Sequence, residues 1–277
     1  MFRKNYLYSL KFIAISTKIE NTQTLNLLFD KEGFSYCYEK PNYDVPKVHR
    51  FNVQYVSQWE KEVIQELEVN LRLRRNFERV NIGLISSFFN LVPNSYDDLE
   101  ADVLLNFSEA EFENNALLSG ETNLGLNIVY GTSQLLIDKL NELYKEVSFY
   151  HSAQVLFNTI EITDQEVLHL NLNSKSLEIV VFKDEKLLFY NLFEALVDED
   201  ILFYTLFTLE QLNLSANEIQ LKTYGELMPN TKVYQTLKKY IRHVKTAMKD
   251  EEFLENYTLY NLEKCELSQE LLKEEKS

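Results

Sequence analysis

The chain has 277 residues, with 28 basic and 43 acidic side chains and a net charge of −15. A field of that sign repels phosphate backbones and anionic headgroups, which argues against nucleic acid or a membrane surface as partner. Hydrophobic residues make up 45% while glycine and proline number only 6 and 4, so a packed core is expected and long structureless linkers are not.

Residues 1–21 read as an N-terminal extension. Arg3 and Lys4 precede a short apolar run from Tyr6 to Leu10, but Lys11 interrupts it and Lys18 and Glu20 follow. No small-residue cleavage site is present. No stretch reaches the roughly 18 apolar residues that span a bilayer. The sequence therefore predicts a cytoplasmic protein with no membrane insertion. Cys37 and Cys265 lie far apart without a CxxC pairing, which suits reduced, buried thiols.

From Leu25 the chain reads LNLLFDKEGFSYCY, an alternating run, a polar break at Asp30-Lys31-Glu32-Gly33 and a second alternating run. This is the pattern of strand, tight turn, strand. From Leu168 it reads LHLNLNSKSLEIVV, which superposes on the first segment without a gap at an offset of 143 residues. Leu25 then falls on Leu168, Leu27 on Leu170, Phe34 on Leu177 and Asp30 on Asn173. In the second copy a Lys183-Asp184-Glu185 turn leads into a third strand, Lys186–Leu192.

Each copy is followed by a helical pattern. Ser57–Asn76 carries Trp59, Val63, Ile64, Leu67, Leu71 and Leu73 at helical spacing, with glutamates early and Arg72, Arg74 and Arg75 late, as the helix dipole favours. Asp198–Leu212 is apolar nearly all round, which predicts burial between a sheet and other helices. Strands follow at Val80–Ser86 and Glu218–Thr223. Further helices are expected at Thr132–Lys145, capped by Thr132 or Ser133, at His151–Ile160 and at Thr231–Tyr240. Tyr257–Leu262 reads as a last strand, and the end, 266–277, as a disordered tail.

Repetition of this kind implies two α/β subdomains, 22–160 and 161–265, each with a mixed sheet and helices, facing one another across a cleft. That is the plan of the actin-like (ribonuclease H-like) superfold. At YNLFEALVDEDILFYTLFTLEQLNL (Tyr190–Leu214) and LKTYGEL…LKKYIRHV (Leu221–Val244) the chain resembles the bacterial domain-of-unknown-function family DUF3822. The resemblance runs from about Thr22 to about Tyr260. It implies an actin-like ATPase fold, with no established activity.

That resemblance supplies a test. ATP-using members of the superfold hold phosphate on two turns that read Asp-x-Gly, whose glycines let backbone N–H groups approach the phosphate oxygens. Here the first turn keeps Asp30 but places Glu32 where glycine is needed. The second places Asn173 for the aspartate and Lys175 for the glycine. The adenosine-contacting turn reads Thr223-Tyr224-Gly225-Glu226, with Gly225 also explicable as a strand end. No GxxxxGK[ST] or GxGxxG occurs.

His49, His151, His169 and His243 show no metal-ligand spacing, and neither HExxH nor GxSxG is present. His169 reads as a strand histidine and His151 as a helix opener. No catalytic residue, metal site or cofactor is therefore expected. The leading expectation is a non-catalytic actin-fold scaffold that binds a protein partner, with Phe88-Phe89 and Tyr257–Tyr260 either an exposed aromatic patch or, as most such aromatics are, part of the core. Two alternatives stand beside it. One is a divergent nucleotide-binding or phosphotransfer protein taking ATP and Mg²⁺ at Asp30 and Gly225. The other is a cell-envelope adaptor resembling actin-like division or pilus-assembly proteins.

Overall fold

Leu25, Leu27 and Phe29 point to one face and Asn26 and Leu28 to the other, and the chain extends there as β1 (Thr24–Asp30). The structure, a computed structural model, describes residues 24–38, 46–94 and 115–265, so the expected N-terminal extension and C-terminal tail lie outside the described residues. After β1 come β2 (Gly33–Tyr38), β3 (His49–Asn52), a 3₁₀ turn at Val56–Gln58, α1 (Trp59–Val69) and β4 (Arg79–Leu84). Then follow β5 (Phe89–Pro93), β6 (Asn115–Glu121), β7 (Leu126–Ser133), α2 (Gln134–Leu143), β8 (Val147–His151) and α3 (Ser152–Thr159). The second half comprises β9 (Val167–Asn173), β10 (Ser176–Lys183), β11 (Lys186–Glu194), α4 (Asp198–Gln211), β12 (Gln220–Gly225), α5 (Lys232–Tyr240) and β13 (His243–Thr246). Two short helices, α6 (Glu251–Glu255) and α7 (Tyr257–Tyr260), complete the described chain.

The first five-stranded sheet has the order β3-β2-β1-β4-β8 and the second β11-β10-β9-β12-β13. In each, the three early strands are antiparallel and the two later ones join in parallel. β1 and β2 begin 143 residues before β9 and β10, the offset read from the sequence. The two halves are structural repeats. A three-stranded antiparallel sheet, β5-β7-β6, is inserted only in the first half, and the sequence reading did not foresee it.

β1 and β9 are buried along their whole length, as strands flanked by neighbours and covered on both faces should be. In the first half Leu25, Leu27 and Ile82 pack with Val63 and Leu67 of α1 and Leu136 and Leu140 of α2. Each such buried leucine contributes about 2 kcal/mol. In the second half Leu168, Leu170, Leu177 and Ile179 pack with Ile201 and Leu209 of α4 and Leu237 of α5. Val180 and Phe182, on the opposite face of β10, join the first-half core, so the second sheet is covered on both sides.

Four sequence expectations need correction. The helix expected over Ser57–Asn76 stops at Val69, because Asn70 accepts a bond from the Arg72 amide (3.0 Å) and donates to Glu66 Oε1 (2.8 Å). Arg72, Arg74 and Arg75 thus lie beyond the helix and leave its dipole unopposed. Helix α4 is not buried all round: Phe203 is 59% exposed. Tyr257–Leu262 is not a strand. Asp250 caps α6 by accepting from the Phe253 amide (3.0 Å), and Tyr257, Thr258, Leu259 and Leu262 are buried at helical spacing. The exposed patch allowed for at Phe88-Phe89 and Tyr257–Tyr260 is also absent: Phe89 packs on His151 and Tyr190, and Tyr257 lies in the first-half core.

Other expectations hold. Ser133 caps α2, accepting from the Leu136 amide (3.1 Å), and Thr231 caps α5. His151 opens α3: its Nε2–H donates to Ser86 O (2.8 Å), which leaves Nδ1 to accept from the Ala153 amide (3.0 Å). Burial lowers its pKa to about 4, so the ring is neutral. His169 sits on β9 beside Tyr224 Oη (2.9 Å), and Cys37 and Cys265 are buried and form no disulfide.

Candidate functional site at the paired hairpin turns

Both halves bring their first two strands together through a two-residue turn, Lys31-Glu32 in one and Ser174-Lys175 in the other. The turns meet. Around them lies a pocket of about 480 Å³ whose lining includes Asp30, Glu32, Arg50, Asn173, Ser174, Lys175 and Glu226. Of the sequence-singled positions, Asp30, Glu32, Asn173 and Lys175 are thus brought together. Gly225 lies beside Glu226 but is not part of the lining.

Asp30 ends β1 with its carboxylate buried. Its Oδ1 accepts from the Glu32 amide (2.7 Å), the turn-closing bond that aspartate forms with the residue two places on. Its Oδ2 accepts from Arg50 Nη2 (2.7 Å) and from the hydroxyl of Ser174 (2.9 Å), which belongs to the opposite turn. Arg50 also donates to Ser174 Oγ, to Ser35 Oγ (3.0 Å) and to Asn52 Oδ1 (2.8 Å). A single guanidinium on β3 therefore neutralises the buried carboxylate and ties it to the other half.

The second turn is held in the same manner. Ser174 adopts a left-handed backbone (φ 54°), a conformation that costs a non-glycine residue about 1–2 kcal/mol. Its amide donates to Glu226 Oε1 (2.7 Å). Glu226 stands at the exposed mouth of the pocket, where partial desolvation raises its pKa while that amide bond counteracts it. Lys175 reaches across to Glu32 Oε1 (2.6 Å), and Lys31 to Glu194 Oε1 (3.1 Å). The Glu32 carboxylate raises the Lys175 pKa. Both pairs are half-exposed, so each fixes geometry more than it adds stability.

The two turn amides that would face a phosphate, those of Glu32 and Ser174, already donate to carboxylates of the protein itself. The lining carries four carboxylates (Asp30, Glu32, Glu226 and Glu255) against two cations, Arg50 and Lys175, both engaged. Among the described residues no group of three or more His, Cys, Asp or Glu is placed to hold a metal ion.

The glycines have structural duties. A Cβ on Gly33 (φ 144°) would sit 2.1 Å from Phe51 O, and one on Gly225 (φ 66°) 2.0 Å from Leu172 O. Leu172 O also accepts from the Glu226 amide (2.9 Å), so the Gly225 bend presents Glu226 to the pocket.

Sequence reasoning did not find Arg50. The signal was present: the third strand of the second copy, shifted back by the repeat offset, falls on residues 43–49, next to His49-Arg50. It also missed a second buried carboxyl. Glu178 on β10 is fully enclosed and accepts from Ser152 Oγ (2.8 Å), Tyr190 Oη (2.9 Å) and Asn171 Nδ2 (2.8 Å). Burial raises its pKa against these three donors. Ser152 opens α3, so this carboxyl joins the connecting helix to the second sheet.

A structure from Bacteroides thetaiotaomicron, described as a protein with actin-like ATPase fold and unknown function, matches with a TM-score of 0.73 and 22% identity over 87% of this chain and 95% of that one. The chain also resembles the PilM–PilN type IV pilus biogenesis complex (TM-score 0.56, 12% identity, 86% of this chain and 96% of that one). A third match is the cytoplasmic domain of EpsL, an inner membrane component of the type II secretion system of Vibrio cholerae (TM-score 0.50, 13% identity, 89% and 95%). These likenesses establish the fold. No curated protein sequence matches the chain. The family model described as "Protein of unknown function (DUF3822)" matches residues 14–244, and the chain belongs to that family, with an actin-like ATPase fold.

Proposed function

We propose that this chain is a non-catalytic actin-fold protein that works as a protein-binding or scaffold module, its hairpin pocket closed to nucleoside triphosphate. One observation carries the reading: the amides of Glu32 and Ser174, the donors a phosphate would need, are capped by Asp30 and Glu226. A polyphosphate would have to displace both carboxylates and separate Glu32 from Lys175. It would do so in a pocket with a surplus of negative charge. The Arg50 guanidinium holds the Asp30 oxygen that a metal–water shell would use. These residues do not fit a metal–nucleotide complex.

A protein partner is supported by the likeness to the PilM–PilN complex. A cytoplasmic setting is supported by two buried thiols that form no disulfide, and among the described residues no helix is long and apolar enough to cross a membrane. Calorimetric titration with Mg-ATP and Mg-ADP tests the nucleotide half of the reading and is expected to give no saturable heat. Micromolar binding that Asp30→Ala weakens would favour instead the divergent nucleotide-binding reading.

The fold likeness to EpsL and to PilM favours a second reading, a cell-envelope adaptor. Fractionation of the source cells separates it from a freely cytoplasmic scaffold: recovery with the membrane supports the adaptor, and recovery in the supernatant removes it.

A further inference from the structure

Two surface features among the described residues have opposite chemistries. The first is on α4, whose outer side carries Phe203 (59% exposed) and Phe207 (45%), stacked on each other at 5.7 Å. Leu196 and Val197, just before the helix, are also exposed. The acids Asp198, Glu199, Asp200 and Glu210 surround this stripe, and the helix contains no basic residue. The second feature is the loop after α1. Asn70 ends the helix and turns Leu71 outward, 80% exposed, beside exposed Val69, while Leu73 points into the core. Val69-Asn-Leu-Arg-Leu-Arg-Arg75 carries three arginines and no acid, in a chain whose net charge is −15. Arg75 lies over the Tyr38 ring at 5.1 Å, which fixes one edge of this loop. Contiguous exposed apolar groups rimmed by charge mark association surfaces.

We infer that the occupant of the acidic, aromatic α4 face is the basic loop of a second copy of this chain. Charge complementarity carries the assignment. Leu71 and Val69 meet Phe203 and Phe207, while Arg72 and Arg74 meet the acids at the two ends of α4. Arginine stacked on aromatic and paired with carboxylate is a favoured interface combination. The two patches belong to different halves of the repeat, so the contact joins unlike surfaces, paired reciprocally in a closed dimer or repeated head to tail. The inference deepens the scaffold reading by naming a partner, but it does not involve the hairpin pocket. Its failure therefore leaves the nucleotide titration unaffected.

The test is sedimentation velocity on the full chain across a concentration series at low and high salt. Wild type is expected to form species larger than monomer, increasing with concentration and falling with salt. Phe203→Ser/Phe207→Ser and Arg72→Glu/Arg74→Glu are each expected to sediment as monomers, with circular dichroism and unfolding midpoints like those of wild type. Mixed in equal amounts, the two variants are expected to give a dimer and nothing larger, since each keeps one competent face. Should the phenylalanine variant fold poorly, Leu196→Ser/Val197→Ser replaces it as a lesion on exposed side chains of the same face. It too is expected to sediment as a monomer. Wild type that stays monomeric at its highest soluble concentration in low salt overturns the inference. So do assemblies that survive in both variants, or a mixture that remains monomeric. Monomeric wild type that instead binds a basic amphipathic peptide through Phe203 overturns it in favour of another occupant.

Discussion

The two hairpins superpose in sequence and lie at matching places in matching sheets, yet their polar chemistry is arranged in opposite ways. In the first, the acid stands at the turn: Asp30 has an arginine beside it, and the strand position that follows is the small Ser35, which Arg50 also contacts. In the second, the turn position is the neutral Asn173, and the acid stands mid-strand at Glu178, the counterpart of Ser35, with three neutral donors and no cation. Backbone demands differ as well: the first turn places its unusual dihedral on Gly33, the second on Ser174. Duplication therefore fixes strand order and register, which depend on the alternation of apolar side chains. It leaves the turn residues free to acquire separate chemistry, because those face the pocket and not the core.

The largest expected contrast is in backbone tolerance. Gly33→Ala should lower unfolding free energy by about 3 kcal/mol or more, since its Cβ meets Phe51 O at 2.1 Å at a positive φ. Ser176→Ala, the equivalent position of the other hairpin, should cost about 1 kcal/mol or less. Urea unfolding of both variants checks the difference, and equal losses would break it. Arg50→Met comes next. It leaves the buried Asp30 carboxylate without its cation and should cost about 2–3 kcal/mol, below the range for deeply buried pairs because Arg50 is itself about one third exposed.

The Glu178 counterpart predicts a different signature, in pH. Its pKa is raised by burial, so the folded state holds the proton more tightly than the unfolded chain. The protonated carboxyl's contribution is fully present below the unfolded pKa and is lost as pH rises through the folded value. Glu178→Gln keeps acceptors and donors for Ser152, Tyr190 and Asn171 without ionising. Relative to wild type it should gain stability above the unfolded glutamate pKa, by about 1.4 kcal/mol for each pH unit inside the window. A difference independent of pH in denaturation curves would remove the carboxyl from this role. The smallest effect is expected at Lys175→Ala, whose exposed pairing with Glu32 should leave the unfolding midpoint within error of the parent.

Much of this was legible in the sequence because one signal was strong. The gapless match of LNLLFD to LHLNLN and of GFSYCY to SLEIVV gave both hairpins, their turns and the repeat. Asp30, Glu32, Asn173 and Lys175 followed from the turns. Arg50 escaped because β3 has only four residues, too few for alternation to register, and because its partner Asp30 is far away in sequence. Glu178 escaped because a glutamate within an alternating strand reads as a solvent-facing position, and it is enclosed only once Ser152 of α3, Asn171 of β9 and Tyr190 of β11 pack around it. The outer face of α4 was misjudged because composition alone cannot distinguish an aromatic facing a core from one facing solvent.

The last described helices do more than end the chain. Thr258 of α7 accepts from Asn171 (2.9 Å) and Asn173 (3.1 Å) of β9, Tyr260 donates to Pro46 O (2.7 Å), and Leu259 and Leu262 pack on Leu28 of β1. A strand is thus covered by residues synthesised long after it. As the polypeptide leaves the ribosome, the face of β1 bearing Leu28 must wait for more than two hundred further residues before its cover exists. The nascent first half is then a natural client for chaperones, and its late closure should set the pace of productive folding.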